Sequence, residues 1–308
     1  MIPRQVYLTR RRFSLRSPEW SLIIFTVFTQ LAVGAVIFLS TAFGFSITKL
    51  ESSIPKDYLV KFLLFVILII VIALLTSFFH LGKPKNSIYA VTHFSSSWLS
   101  REIIFALLFT ISLCLLSFTI YKFQNWMMVK QTLLIAVVIF GLITIYSMIK
   151  VYMLPTVPAW NSFSTPLRFF STAIILGGIS VVIFIALLNK QTGIVFPVES
   201  AKLVKIILLI LALTAVLNLA AYLFHLFSLK DAGLAGLESY KLILDVNSIL
   251  FYLWSGLSFI SVVLLIYFGV INNQLVNFTL AVTIGVGLLV VEIIGRYLFY
   301  AYYARVGI

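Results

Sequence analysis

Long apolar runs separated by short polar connectors occur eight times along the chain, near Trp20–Phe45, Phe62–His80, Ile103–Tyr121, Thr132–Ile149, Phe169–Leu188, Val204–Phe227, Val246–Gly269 and Phe278–Tyr303. Each approaches the roughly 20 residues a helix needs to cross a hydrocarbon core of about 30 Å. The core holds no water for free backbone groups, so runs of this length rich in Ile, Leu and Phe must be helices. A barrel would show alternating segments of about ten residues instead. The pattern predicts an all-α integral membrane protein, a bundle of eight transmembrane helices over residues 19–308 behind a basic extension at residues 1–18. The connectors are short, carry Gly, Pro and Asn, and leave no room for an inserted soluble domain.

Composition agrees. Of 308 residues, 62% are apolar and 10% charged, against roughly 45–50% and 25% in a soluble domain, which excludes a soluble globule. The net charge of +13 points to membrane topology and anionic lipid, not to nucleic acid, because basic patches with interleaved aromatics are absent. Cys114 is the single cysteine, so the chain alone builds no internal disulfide, Cys-rich iron–sulfur site or Cys-based zinc finger. Any redox centre must come from elsewhere. The first residues lack a signal peptide's short apolar core and cleavage site, so the first run is expected to remain as a span.

Eight spans put both termini on one face, here called face A, together with the connectors after the second, fourth and sixth spans. The excess of basic residues on face A over face B comes from five tail arginines, Arg4, Arg10, Arg11, Arg12 and Arg16. By the positive-inside rule this places face A in the cytoplasm. The segment TRRRFSL at Thr9–Leu15 also resembles a twin-arginine export motif, whose use would turn face A outward. The simpler reading is a basic tail held against anionic headgroups.

Ionisable residues inside a membrane are costly, so each marks a candidate site. Here they gather towards face A. His80 closes the second run, Glu102 opens the third behind a candidate cap at Ser100, Arg168 opens the fifth, His225 sits near the end of the sixth and Asp245 opens the seventh. Glu292 and Arg296 lie deeper in the eighth, four residues apart and so on one side of a helix. Such a pair serves as a structural ion pair or as a proton relay. His80 and Glu102 have equally plain structural roles, the first satisfying the last carbonyls of its helix and the second opposing a helix dipole. His225 reads as a snorkelling interfacial residue, and His93 as solvated. His80 and His225 share one level, so a single haem is geometrically conceivable; face B has no histidine, which excludes two haems across the membrane. The stretch from Tyr152 to Phe170 contains three prolines and so no continuous helix. With Pro155, Pro158, Trp160 and Arg168 it suggests a stiff ledge for partner docking. The remaining aromatics read as lipid-facing and packing residues.

The segments EWSLIIFTVFTQLAVGA (Glu19–Ala35), HLGKP (His80–Pro84), SSWLSREI (Ser96–Ile103), PTVPAWNSFSTPLRFF (Pro155–Phe170) and EIIGRYLFY (Glu292–Tyr300) together resemble the membrane-anchor subunit of the dimethyl sulfoxide reductase family, the DmsC type. The resemblance implies a haem-free, metal-free eight-helix anchor in a prokaryotic cytoplasmic membrane. It further implies two partners, an iron–sulfur electron-transfer subunit and a molybdopterin catalytic subunit, and menaquinol bound near the face that carries the first. The family's quinol-site histidine and glutamate correspond to His80 and Glu102, while Glu292 and Arg296 match as a structural or proton-handling pair. On this reading the chain is not an enzyme by itself but contributes the quinol-oxidation site of an oxidoreductase complex.

The chemistry suits the residues. Oxidising a hydroquinone releases two electrons and two protons, so the site needs a hydrogen-bond partner for a ring oxygen and a base connected to water. A neutral imidazole accepts from the hydroxyl, and a carboxylate at a membrane mouth passes the proton on. Two other readings stand beside it, the first within redox biology and the second of another class. One is a quinone-binding anchor of the polysulfide-reductase type. The other is a secondary transporter, which would place its polar site near the midplane and show a repeat; the best internal echo is FFHL at Phe78–Leu81 against LFHL at Leu223–Leu226.

Overall fold

Every long apolar run is a helix. The structure, a computed structural model, describes residues 19–80, 93–192, 198–271 and 277–304; the side chains of 19, 78–80, 192, 198–200 and 271 are outside that description. The helices are α1 Glu19–Ala42, α2 Ile47–Ser53, α3 Lys56–His80, α4 Trp98–Lys122, α5 Met127–Tyr152, α6 Ser164–Thr192, α7 Val198–Ser228, α8 Gly233–Lys241, α9 Ser248–Ile266 and α10 Phe278–Ala301. Eight of them, all except α2 and α8, are long and apolar enough to cross a membrane. No strand occurs among the described residues.

Five of the spans, α3 to α7, start one to two turns before their apolar runs, because a helix begins at its cap and not at its first apolar residue. At α4 the cap is Ser97, whose side chain accepts from the Ser100 backbone N–H at 3.3 Å. Ser100 is therefore inside the helix and is not the cap expected from the sequence. Glu102 moves from the helix start to the second turn. Pro166 falls in the first turn of α6, where its missing N–H has no helical partner to lose. Arg168 likewise lies one turn in.

Two short helices and two π-type turns were not apparent from hydropathy. The turns, Leu242–Val246 and Tyr267–Ile271, flank α9, and Asp245 is exposed in the first of them. α1 ends in a Schellman arrangement: Phe45 N–H donates to the Ser40 carbonyl at 2.7 Å and Gly44 N–H to that of Thr41 at 3.0 Å. Gly44 takes a φ of 61°, a left-handed conformation that suits glycine. The polypeptide then turns back into α2. Lys130, in the first turn of α5, is only 1% exposed and pairs with Glu51 at 2.6 Å, holding α2 on α5.

α1 and α6 form the centre of the bundle. Of the most apolar stretch of α6, 83% is buried, against 28% for α9. The two helices meet backbone to backbone at Gly34, Ala173 and Gly177, where a Cβ on Gly34 would overlap the Ala173 carbonyl and one on Gly177 would lie 2.6 Å from Ala35 N. Lipid tails are as apolar as leucine, so close packing of small residues is a main source of helix association in a membrane. α10 packs against both helices and α3 against α1. This central group positions the polar residues.

Candidate functional site

The polar side chains of the spans converge on the face-A half of the bundle. Thr172 on α6 is the hub: its Oγ1 lies 2.7 Å from Glu292 Oε2 and 2.9 Å from the Arg168 carbonyl. The same oxygen accepts from an Arg296 guanidinium nitrogen at 3.2 Å, and that nitrogen also donates to Gln30 Oε1 at 2.7 Å. Glu292 and Arg296 thus share one side of α10 as their spacing requires, yet they form no direct ion pair. Thr172 stands between them because α6 packs against that side. The Arg296 guanidinium also lies 3.9 Å from the Phe169 ring centroid. Arg296 sits about one and a half turns and Glu292 about two and a half turns from the end of α10, a depth of roughly 8–14 Å.

Arg168 extends the network towards the mouth. Its two terminal nitrogens donate to the Tyr302 hydroxyl at 2.8 Å and to the Gly295 carbonyl at 2.6 Å, and its guanidinium packs over the Tyr222 ring at 4.5 Å. Burial pushes the Tyr302 phenol above its ordinary pKa, and the adjacent Arg168 charge opposes the rise. Arg168 is 5% exposed; it ties α6 to α10 and does not present its charge on the ledge.

A second group lies beside the first. Glu102 is 2% exposed, and among the described residues its carboxylate has no hydrogen-bond partner. It lies within electrostatic reach of the phenols of Tyr152 and Tyr300, whose ring centroids are 5.4 Å apart. Tyr300 in turn approaches Thr26 Oγ1 at 3.5 Å. Arg296 is within electrostatic reach of the same two phenols. A series of hydroxyls therefore runs from the Glu102 region of α4 past α5 to α10 and α1. His80 is the last residue of α3, which packs beside α4; its side chain and the 81–92 connector are outside the described residues, as are the tail arginines.

The 153–163 connector is a pinned ledge. Trp160 Nε1 donates to the Phe299 carbonyl at 2.8 Å and its ring stacks on Phe299. His225 is not a snorkelling residue: it is 6% exposed, and its Nε2 lies 3.0 Å from the Ala159 carbonyl. Because the connector folds over α7, the imidazole is buried as a brace. Pro155 and Phe163 face outward on this ledge, Phe163 at 77% exposure. His93 is exposed. Among the described residues no three His, Cys, Asp or Glu side chains converge as metal ligands.

Sequence reasoning missed the uncharged members. Gln30 and Asn218 interrupt apolar runs and were open to the same cost argument that singled out the charged residues. Thr172, Tyr152 and Tyr300 carried no such signal. Arg168, Asn218, Glu292 and Arg296 line a cavity of about 10 Å³, close to the least volume that holds one water. Asn218 Oδ1 and Gln30 Nε2 are buried without a partner among the described residues.

Residues 15–302 match the family described as "DMSO reductase anchor subunit (DmsC)". The C subunit of the anaerobic dimethyl sulfoxide reductase of Haemophilus influenzae is 26% identical over 182 residues, 56% of this chain and 60% of that protein. Two anaerobic dimethyl sulfoxide reductase subunits of Escherichia coli K12 are also similar, YnfH at 30% identity over 168 residues and the C subunit at 31% over 162, each alignment covering 52% of this chain and 55% of the relative. The chain thus spans somewhat over half the length of the curated relatives it matches. With the family match running through all eight spans, the chain belongs to the DMSO reductase anchor subunit (DmsC) family.

Proposed function

We propose that this chain is the quinol-oxidising anchor of a respiratory molybdoenzyme in a prokaryotic cytoplasmic membrane, with both termini on face A. The observation that carries the reading is Glu102: a carboxylate buried one turn inside α4 at the polar rim, near the adjacent phenols of Tyr152 and Tyr300. Among the described residues it forms no ion pair, whereas a purely structural buried carboxylate is normally paired. Family membership supports the rest, since the relatives are named as parts of anaerobic dimethyl sulfoxide reductases.

In this reading menaquinol is the substrate and docks at the face-A rim. One ring hydroxyl donates to His80, which orients it and takes its proton. Glu102 receives a proton and passes it to water at the mouth. Oxidation to the quinone releases two electrons, which leave one at a time to an iron–sulfur subunit seated on the same face, and from there to a molybdopterin subunit that selects the terminal acceptor. The 153–163 ledge, with Pro155, Pro158 and Trp160, supplies part of the seat. Glu292 and Arg296 act behind the site, as a structural or proton-handling pair bridged by Thr172.

The test uses the assembled complex. His80→Leu and Glu102→Gln are expected to abolish acceptor reduction driven by a menaquinol analogue while leaving reduction by an artificial soluble donor intact. Loss of both activities in parallel, or retention of both, would reject the assignment. A protein that purifies without metalloprotein partners and moves a solute would reject the anchor reading itself.

A further inference from the structure

The rim opposite the polar cluster holds a cavity of about 820 Å³, walled by the end of α1, by α2, by the later turns of α6 and by the start of α7. That volume is within the roughly 300–1,000 Å³ of small-molecule sites. Its floor is apolar, with Phe184, Ile185 and Leu188 of α6 among the lining residues. From Leu188 back to Val181, α6 covers about 10 Å, so the cavity runs from headgroup level into the hydrocarbon layer. Its mouth is polar in one sense only: Lys49, Lys202, Ser52 and Ser53 contribute ammonium and hydroxyl groups, and no carboxylate or imidazole is among the described lining residues.

Two features show that the cavity is built and is not a loose gap. First, α2 is fixed from behind. The Lys130–Glu51 pair holds its outer face, and the Gln131 amide brackets its start, accepting from Ile47 N–H at 3.0 Å and donating to the Phe45 carbonyl at 2.7 Å. Ile47 and Leu50 are buried while Lys49, Ser52 and Ser53 are exposed. Second, the cavity's lysines differ from most others on this rim, Lys122 excepted. Lys56, Lys61 and Lys190 lie over aromatic rings, and Lys130 has Glu51. Among the described residues Lys49 and Lys202 meet neither a ring nor a carboxylate.

We infer that this cavity is a binding site for one anionic phospholipid, its phosphate on Lys49 and Lys202 with help from the Ser52 and Ser53 hydroxyls, and an acyl tail along α6. The match is one of charge and depth together: the mouth attracts an anion and the floor requires a hydrocarbon tail. A quinone fits poorly, being uncharged and needing a proton acceptor that the described lining does not provide. The site is independent of the quinol reading, which concerns the other rim.

The experiment is native mass spectrometry of the full-length protein in mild detergent, titrated with phosphatidylglycerol or phosphatidylcholine. The expected result is one phosphatidylglycerol retained in preference to phosphatidylcholine. Each charge removed near a membrane surface weakens binding by about a factor of five, so Lys49→Gln with Lys202→Gln should weaken retention about twenty-fold or more. Ile185→Trp, which fills the floor, should also expel the lipid. Circular dichroism checks that both variants remain helical. Independently of any variant, retention by the unmodified protein should fall as salt rises from about 0.05 to 0.5 M, because screening tightens over that range. Equal retention of the two lipids, retention unaffected by the double substitution, retention indifferent to salt, or a quinone competing with the lipid for the site would each overturn the proposal.

Discussion

Replacing Gly34 with alanine tests whether the polar cluster depends on the closeness of α1 and α6. A Cβ at Gly34 would overlap the Ala173 carbonyl oxygen and sit 2.7 Å from the Ala173 carbonyl carbon. Relieving that overlap means parting the two helices by on the order of 1 Å, since packed backbones have little room to give. Overpacking of this kind costs about 1–3 kcal/mol, partly offset by the roughly 0.5–1 kcal/mol that alanine contributes over glycine in a helix. Gly34 is one turn from Gln30, and Ala173 is next to Thr172. The same movement therefore stretches the Arg296 contacts to Gln30 and Thr172, now 2.7 and 3.2 Å, and the second approaches the limit of a hydrogen bond. The expected net loss is about 1–2 kcal/mol, read by equilibrium unfolding of the full-length protein in mixed micelles. Gly256→Ala and Gly287→Ala are the controls, because a Cβ at either position meets nothing within 4 Å; they should be neutral or slightly stabilising. If Gly34→Ala behaves like the controls, the close crossing does not organise the bundle and the reasoning fails.

Two further outcomes follow from the same geometry. Thr172→Val keeps the shape but removes the hydroxyl shared by Glu292 and Arg296, leaving buried polar groups short of a partner; a loss of about 1–3 kcal/mol is expected, with recovery in Thr172→Ser, and a melting curve in detergent unchanged by the valine would contradict the hub role. His225→Ala removes the brace on the Ala159 carbonyl. Hydrogen–deuterium exchange over residues 153–163 should then accelerate about ten-fold or more, as expected for about 1.4 kcal/mol of lost local protection; unchanged exchange would show that Trp160 alone holds the ledge.

The spans were legible because length and apolarity decide them. Their starts were not, because first turns such as Trp98–Arg101 or Ser164–Leu167 mix polar residues and proline into the helix and look like connector. α2 escaped notice since seven amphipathic residues with Lys49 and Glu51 resemble any polar loop until Lys130 and Gln131 are brought against them. Of the site, the ionisable residues could be found by cost alone. Their convergence could not: Gln30 and Arg296 are 266 residues apart, and nothing local records that α1 and α10 both face Thr172. His225 shows the opposite error, a residue placed at the lipid interface by its position in the run and buried in fact by a connector that sequence alone does not fold over it.

The shared hydroxyl of Thr172 carries one hydrogen, yet two oxygens claim it, the Arg168 carbonyl at 2.9 Å and Glu292 Oε2 at 2.7 Å. When Glu292 is ionised, its carboxylate is the stronger acceptor and takes that hydrogen. When Glu292 is neutral, it donates to the threonine oxygen, and the rotor swings its hydrogen to the carbonyl. The occupancy of one acid is thereby written into the backbone of a neighbouring helix, where an isotope-edited infrared band of the Arg168 carbonyl would read it out.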